Sequence, residues 1–254
     1  MLNVRVIAIL VLANGLVACP AFAASASWDY TLGADYSAGR YGAAIDTQVT
    51  DLSLGARVQK DAFRLEVALP FVTLKGPGEL VSGTPIAVTG ESMLRRSSVG
   101  DLGLTGSWMV IASETRAPSI ELTGTIKAPT APAGIGTARA DYALGANIYQ
   151  TLTPTLWLFG SLGYSWLTDS PTYVLSNGVA VSAALIYRPD ERRETGVSLA
   201  YRQPAAEGLK SQISLSPYIS QRLNDRVGIS FYASAGLTDA SPRLGAGVAL
   251  KFSR

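Results

Sequence analysis

Apolar residues recur at every second position through most of this chain, and helical i, i+3, i+4, i+7 spacing is scarce. Alternation of this kind places one set of side chains on each face of a strand. Twelve segments can be written this way, each with one continuous apolar face. They open with Trp28–Tyr30–Leu32–Ala34–Tyr36, Leu52–Leu54–Ala56–Val58 and Phe63–Leu65–Val67–Leu69. Leu102–Leu104–Gly106–Trp108–Val110, Ile120–Leu122–Gly124–Ile126 and Tyr142–Leu144–Ala146–Ile148 follow. The seventh to ninth carry Leu156 to Trp166, Val179 to Tyr187, and Val197–Leu199–Tyr201. Ile213–Leu215–Ile219, Val227–Ile229–Phe231–Ala233 and Leu244–Ala246–Val248–Leu250–Phe252 complete the set.

An even number of short alternating strands predicts an all-β fold, a transmembrane antiparallel up-and-down β-barrel of 12 strands. Two further patterns agree. Odd-to-even connections such as Leu74–Ser97, Pro129–Ala138 and Thr168–Gly178 are long, whereas Lys60-Asp61, Thr153-Pro154 and Asn224-Asp225 are tight, as expected with both termini periplasmic. Aromatic residues gather at strand ends in two sets. Trp28, Phe63, Trp108, Tyr187 and Phe252 mark the periplasmic edge; Tyr36, Tyr142, Tyr164, Trp166 and Tyr201 mark the outer one. A soluble β-sandwich is the competing reading, but its exposed faces should carry more charge. Only 16% of residues are charged, against about 25% in ordinary soluble domains.

The first residues read as an export signal over 1–23: Arg5, an apolar run from Val6 to Val17, and the small-x-small site Ala21-Phe22-Ala23. The barrel is expected to occupy 24–254. Leu16-Val17-Ala18-Cys19 also fits a lipidation site, with Cys19 as the modified residue. Cleavage after Ala23 would leave no cysteine, because Cys19 is the only one. The chain contains no histidine, which argues against Ser-His-Asp and Cys-His catalysis and the usual zinc sites. No enzyme activity, cofactor or metal is expected, and no basic tract suggests nucleic acid.

Several stretches resemble the outer-membrane transporter family named for the MetA pathway of phenol degradation. They are Leu32–Gly42, Arg64–Gly78, Val99–Trp108, Gly124–Gly145 and Pro154–Leu167, together most of the chain after the signal. The resemblance implies an outer-membrane barrel and uptake of small organic compounds, including aromatic ones. The C-terminal strand also resembles the signal read by the barrel-assembly machinery of Gram-negative bacteria, carried here by Gly247, Leu250 and Phe252.

The parity opposite to the lipid-facing one points into the lumen and holds the candidate selectivity residues. The first six strands supply Asp29, Asp35, Asp51, Glu66, Asp101, Glu121 and Asp141 with Arg57, Arg64, Lys127 and Arg139. The last six supply Arg188, Arg202, Arg222, Arg243 and Lys251, and no acid that the reading assigns. A mixed wall facing a basic wall would set a field across a narrow pore and favour small anions. Alternatively, these charges pair with one another and fill the barrel. The expected function is a channel for passive uptake of small organic solutes, aromatic or anionic; the alternative is a non-conducting structural or surface-recognition barrel. The loop Leu74–Ser97 either folds inward as a constriction or, the favoured reading, stands outward, and Arg95-Arg96 within it either binds lipopolysaccharide phosphates or is solvated.

Overall fold

In a computed structural model, the chain closes into a single antiparallel barrel. The structure describes residues 26–42, 45–76, 79–81, 84–86, 94–113, 117–132, 134–169 and 174–254. The signal reading over 1–23, with Cys19, lies outside them. In chain order the strands are β1 (Ser27–Gly39), β2 (Thr47–Lys60), β3 (Phe63–Gly76), β4 (Glu79–Val81), β5 (Thr84–Ile86), β6 (Leu94–Val99), β7 (Leu102–Ile111), β8 (Ser119–Ala128), β9 (Asp141–Thr153), β10 (Leu156–Trp166), β11 (Gly178–Tyr187), β12 (Arg193–Arg202), β13 (Gln212–Arg222), β14 (Val227–Gly236) and β15 (Leu244–Ser253).

Each wall strand pairs with its chain neighbours, and β15 returns to β1 from Asp29↔Ser253 to Ala38↔Leu244. No edge is left open, as a bilayer requires of a spanning sheet. β6 and β7 both pair with β3 and form one interrupted strand, so the wall has twelve strands. The interruption is at Gly100, whose amide donates to the Pro70 carbonyl (2.7 Å). A Cβ there would come within 2.7 Å of the Pro70 ring, so the close approach needs glycine. β4 and β5 form a separate small hairpin in the β3–β6 connection.

The predicted registers hold along the walls. Leu54, Phe63, Leu144 and Leu162 are among the most exposed side chains, and both aromatic sets lie on the outer surface. An outward band of large apolar residues between two aromatic belts is the surface of a barrel in the bacterial outer membrane. Phe63 and Trp108 stack within the inner belt, at 5.9 Å between ring centres. One register call shifts. An irregularity between Met109 and Ile111 takes Val110 out of the lipid-facing row, and Ile111 fills that place opposite Ile120.

Two expectations are corrected. β12 begins at Arg193, earlier than the apolar pattern indicates, and so brings Glu194 into the lumen. The long loop does not stand wholly outward: Leu80 packs inside against Val49, Val72 and Leu74, together with Ala131 and Ile135 from the β8–β9 connection. An apolar side chain that can reach a dry inner wall has little reason to remain in water.

Candidate functional site: the lumen

The inner surface divides into tiers along the barrel axis. At the periplasmic end Lys251 Nζ pairs with Asp29 at 3.0 Å, and Ser253 donates to the same carboxylate. Beside them Arg57 donates to Glu66 through Nη2 (2.7 Å) and Nε (3.0 Å). Arg222 has inward parity at the end of β13, close enough for its charge to act on Lys251.

Further round the wall, also toward the periplasmic strand ends, Arg64 Nη2 lies 2.8 Å from Glu121 Oε1 and donates to Ser107. Glu121 Oε2 accepts from Asn147 (2.8 Å) and from the Tyr149 hydroxyl (3.1 Å). These partners sit on β3, β7, β8 and β9, because consecutive strands present the same parity at the same level. On the far wall Arg188 Nε donates to Glu194 at 2.6 Å, and the Tyr218 hydroxyl donates to Glu194 Oε1 at 2.8 Å. Arg188 also lies 4.9 Å from the centre of the Trp157 ring. The acid that the sequence reading did not assign to this half is therefore present and paired with one of its bases. The wall of the last six strands is not purely basic.

Between these pairs is an apolar and aromatic patch. Phe159, Ala184, Ile186 and Tyr218 are buried together, with Tyr149, Trp157 and Tyr232 packed against them. All seven have lumenal parity. Parity alone could have found them, but the interior was expected to be polar and only its charges were singled out.

Near the outer end Lys127 is a hub. Its Nζ lies 2.9 Å from Asp141, 3.0 Å from Asp101 and 2.9 Å from the Thr137 hydroxyl. Asp101 accepts from the Ala131 amide and Asp141 from the Thr168 amide, each at 3.0 Å. Three candidate selectivity residues thus hold two outer loops in place. Asp35 and Asp51 face each other in register, both buried, and the Tyr232 hydroxyl donates to Asp35. Tyr232 reaches across β15 to do so, passing Gly247, where a Cβ would collide with both groups. Arg139 and Arg243 are corrected in placement. Both lie in outer loops and are exposed; Arg243 shares Asp46 (3.1 Å) with Arg40.

Two cavities occupy the space these side chains leave. An outer vestibule of about 620 Å³ is bordered by Arg40, Asp46, Lys210, Asp239 and Arg243. An inner chamber of about 90 Å³ lies against β7–β12, lined by hydroxyls such as Thr105, Thr125, Ser161 and Ser182 and by the small residues Ala143, Gly145, Gly163 and Ala180. Arg64 borders the chamber at one end. Arg202, Gln203 and Pro204 border both cavities, and Arg202 itself is buried. Among the described residues no cluster of His, Cys, Asp and Glu could hold a metal ion.

No family model and no curated protein matches the chain. Solved structures do. The COG4313 outer-membrane channel from Pseudomonas putida F1 superimposes with a TM-score of 0.73 at 13% identity, over 94% of this chain and all (100%) of that one. The translocator domain of the autotransporter NalP from Neisseria meningitidis gives 0.57 at 8% identity, over 98% and 94%. The KdgM porin gives 0.54 at 10% identity, over 89% and 98%. At these identities the likeness is one of fold, and the fold is that of porin-like barrels of the outer membrane.

Proposed function

We propose that the barrel is a passive channel for small organic solutes, with a preference for anions and room for an aromatic ring. The observation that carries this reading is that Arg202 borders both the vestibule and the inner chamber. A guanidinium stays charged at any working pH, and a narrow passage between low-dielectric walls concentrates its field. The vestibule adds Arg40, Lys210 and Arg243 against only Asp46 and Asp239. An entering anion therefore meets a net positive rim, then Arg202, then hydroxyls that can hydrogen-bond a carboxylate or phenol. The ring of such a solute would find Phe159 on the chamber wall, with the Tyr149 ring centre 5.3 Å from that of Phe159. The channel character of similar folds and the resemblance to phenol-pathway transporters support the same class of solute. The C-terminal signature Gly247, Leu250 and Phe252 fits delivery to the membrane by the barrel-assembly machinery.

The non-conducting scaffold has one observation in its favour. The apolar cluster roofed by Leu80, Ala131 and Ile135 fills one side of the lumen. Single-channel recording in a planar bilayer with asymmetric salt separates the two readings. Discrete steps with a reversal potential displaced toward anions are expected. Changing Arg202→Glu together with Arg222→Glu should move that potential toward cations; an unmoved potential would remove the field argument. Absence of steps from demonstrably folded protein would favour the scaffold.

A further inference from the structure

On the outside of the barrel the outer aromatic rings sit on four of the described strands, with gaps between them. β1 carries Tyr36, β9 Tyr142, β10 Tyr164 and Trp166, and β12 Tyr201, whereas β2, β3 and β6 present no ring above Phe71. In that gap the outward residues change in three cross-strand tiers. Leu52, Phe71 and Val99 are apolar and exposed. One tier further out are Thr50, Thr73 and Ser97, and the Thr73 and Ser97 hydroxyls lie 2.9 Å apart. The next tier is Gln48, Lys75 and Arg95. Successive tiers are separated by two residues, about 7 Å of strand.

Lys75 and Arg95 are directly opposite on paired strands, both exposed, and neither has an ion-pair partner among the described residues. Two like charges in cross-strand register repel and so disfavour the pairing they sit on, unless an anion lies between them. Arg96 does not join them. As the next residue in the strand it faces the other way, where its guanidinium packs over Gly134. The dibasic run in the sequence is thus divided between two faces.

We infer that this strip is a binding site for one phosphorylated lipid headgroup of the outer leaflet, lipid A of lipopolysaccharide. The tiers match its parts in order. Acyl chains lie against Leu52, Phe71 and Val99; the sugar hydroxyls and amides meet Thr50, Thr73 and Ser97; a phosphate is gripped by Lys75 and Arg95. Arg can offer two parallel N–H donors to phosphate oxygens, and Lys adds a mobile point charge. A solvated surface pair would explain the cations, but not the hydroxyl tier beneath them. The inference rests on the membrane location of this wall and is independent of whether the lumen conducts.

The test is a titration of the folded protein in detergent micelles with bisphosphorylated lipid A and, separately, with lipid A stripped of both phosphates. The wild type is expected to prefer the phosphorylated form by about tenfold. Lys75→Gln combined with Arg95→Gln should bring the two affinities together, with heat-modifiable gel mobility confirming that the barrel is intact. Arg95→Gln alone should lose part of the preference, which keeps the test open if the double variant folds poorly. Equal wild-type affinities would overturn the proposal, as would a double variant that keeps the full preference. Displacement of lipid A by millimolar inorganic phosphate would show a free-anion site instead, and would also overturn it.

Discussion

The two sides of this lumen are built differently, although the same alternation produces both. On β1–β3 and β6–β8 large and charged inward side chains, set among small ones such as Gly33, Gly55 and Ala68, are engaged with one another. Arg57 meets Glu66, Arg64 meets Glu121, Lys127 meets two aspartates, and Leu74 is fully covered by the loops folded over it. On the outer half of β9–β12 the inward positions include the small residues Ala143, Gly145, Gly163, Ala180, Ser182 and Ala200, and the space they leave is the chamber. One side supplies rigidity and the other supplies volume. A twelve-stranded wall lies between barrels that side chains fill and barrels that hold an aqueous channel. Unequal filling is one way to retain a passage in it without losing a dry, paired interior.

Three changes would break or sharpen this contrast. The largest effect is expected on the open side. A Cβ at Gly163 would meet only the Leu144 carbonyl, at 3.6 Å. Gly163→Trp should therefore project into the chamber, leave the wall folded and abolish single-channel current; undiminished current would place the passage elsewhere. Next comes the paired side, where Glu121→Ala would strip Arg64 of its counter-ion and leave Asn147 and Tyr149 without their acceptor. Breaking a buried pair costs about 3–5 kcal/mol, which should appear as a lower urea midpoint for the barrel in lipid vesicles. The smallest effect is expected from Leu74→Ala beneath the inward loops. A truncation of this kind in a core costs about 2–5 kcal/mol, and the loops above Leu74 can settle into part of the space. Because the cluster lies on the filled side, the current steps should stay close to those of the wild type. A large rise in conductance would mean that this cluster, and not Arg202, sets the constriction.

The alternation exposed the strands because a bilayer demands a continuous apolar face, and a one-residue slip would put every charge into lipid. The periodicity therefore carried the barrel, its strand number and nearly all the registers. It failed where the lipid no longer dictates the residue. Glu194 sits at a strand end, where Arg193 on the outer parity broke the apolar pattern and made the start of β12 read as loop. Leu80 belongs to a connection, where the choice between water and an inner wall depends on residues far away in sequence. Trp157 and Phe159 alternate with Leu156 and Leu158; the lipid-facing row of that strand was legible, but the pattern does not say that the rings opposite it gather into a lumenal patch. Apart from Arg139 and Arg243, which lie in loops, the charges assigned inward follow the strand parity, but their partners did not follow from it. Pairings such as Arg64 with Glu121 depend on which strands end at the same height, and that is set by the barrel's stagger.

The clasp from Tyr232 to Asp35 has a kinetic consequence. These groups are 197 residues apart in the chain. They meet only over the glycine face of the strand that lies between β14 and β1. The contact therefore cannot form until the first and last strands are in register, and so it belongs to the final stage of folding. A bare closing strand can enter the gap without displacing side chains, and the clasp then latches over it. Up to that point the outer part of the seam lacks this latch, and the contacts of Asp29 with Lys251 and Ser253 hold only its periplasmic end. The seam is therefore the natural place for an unfinished barrel to remain open.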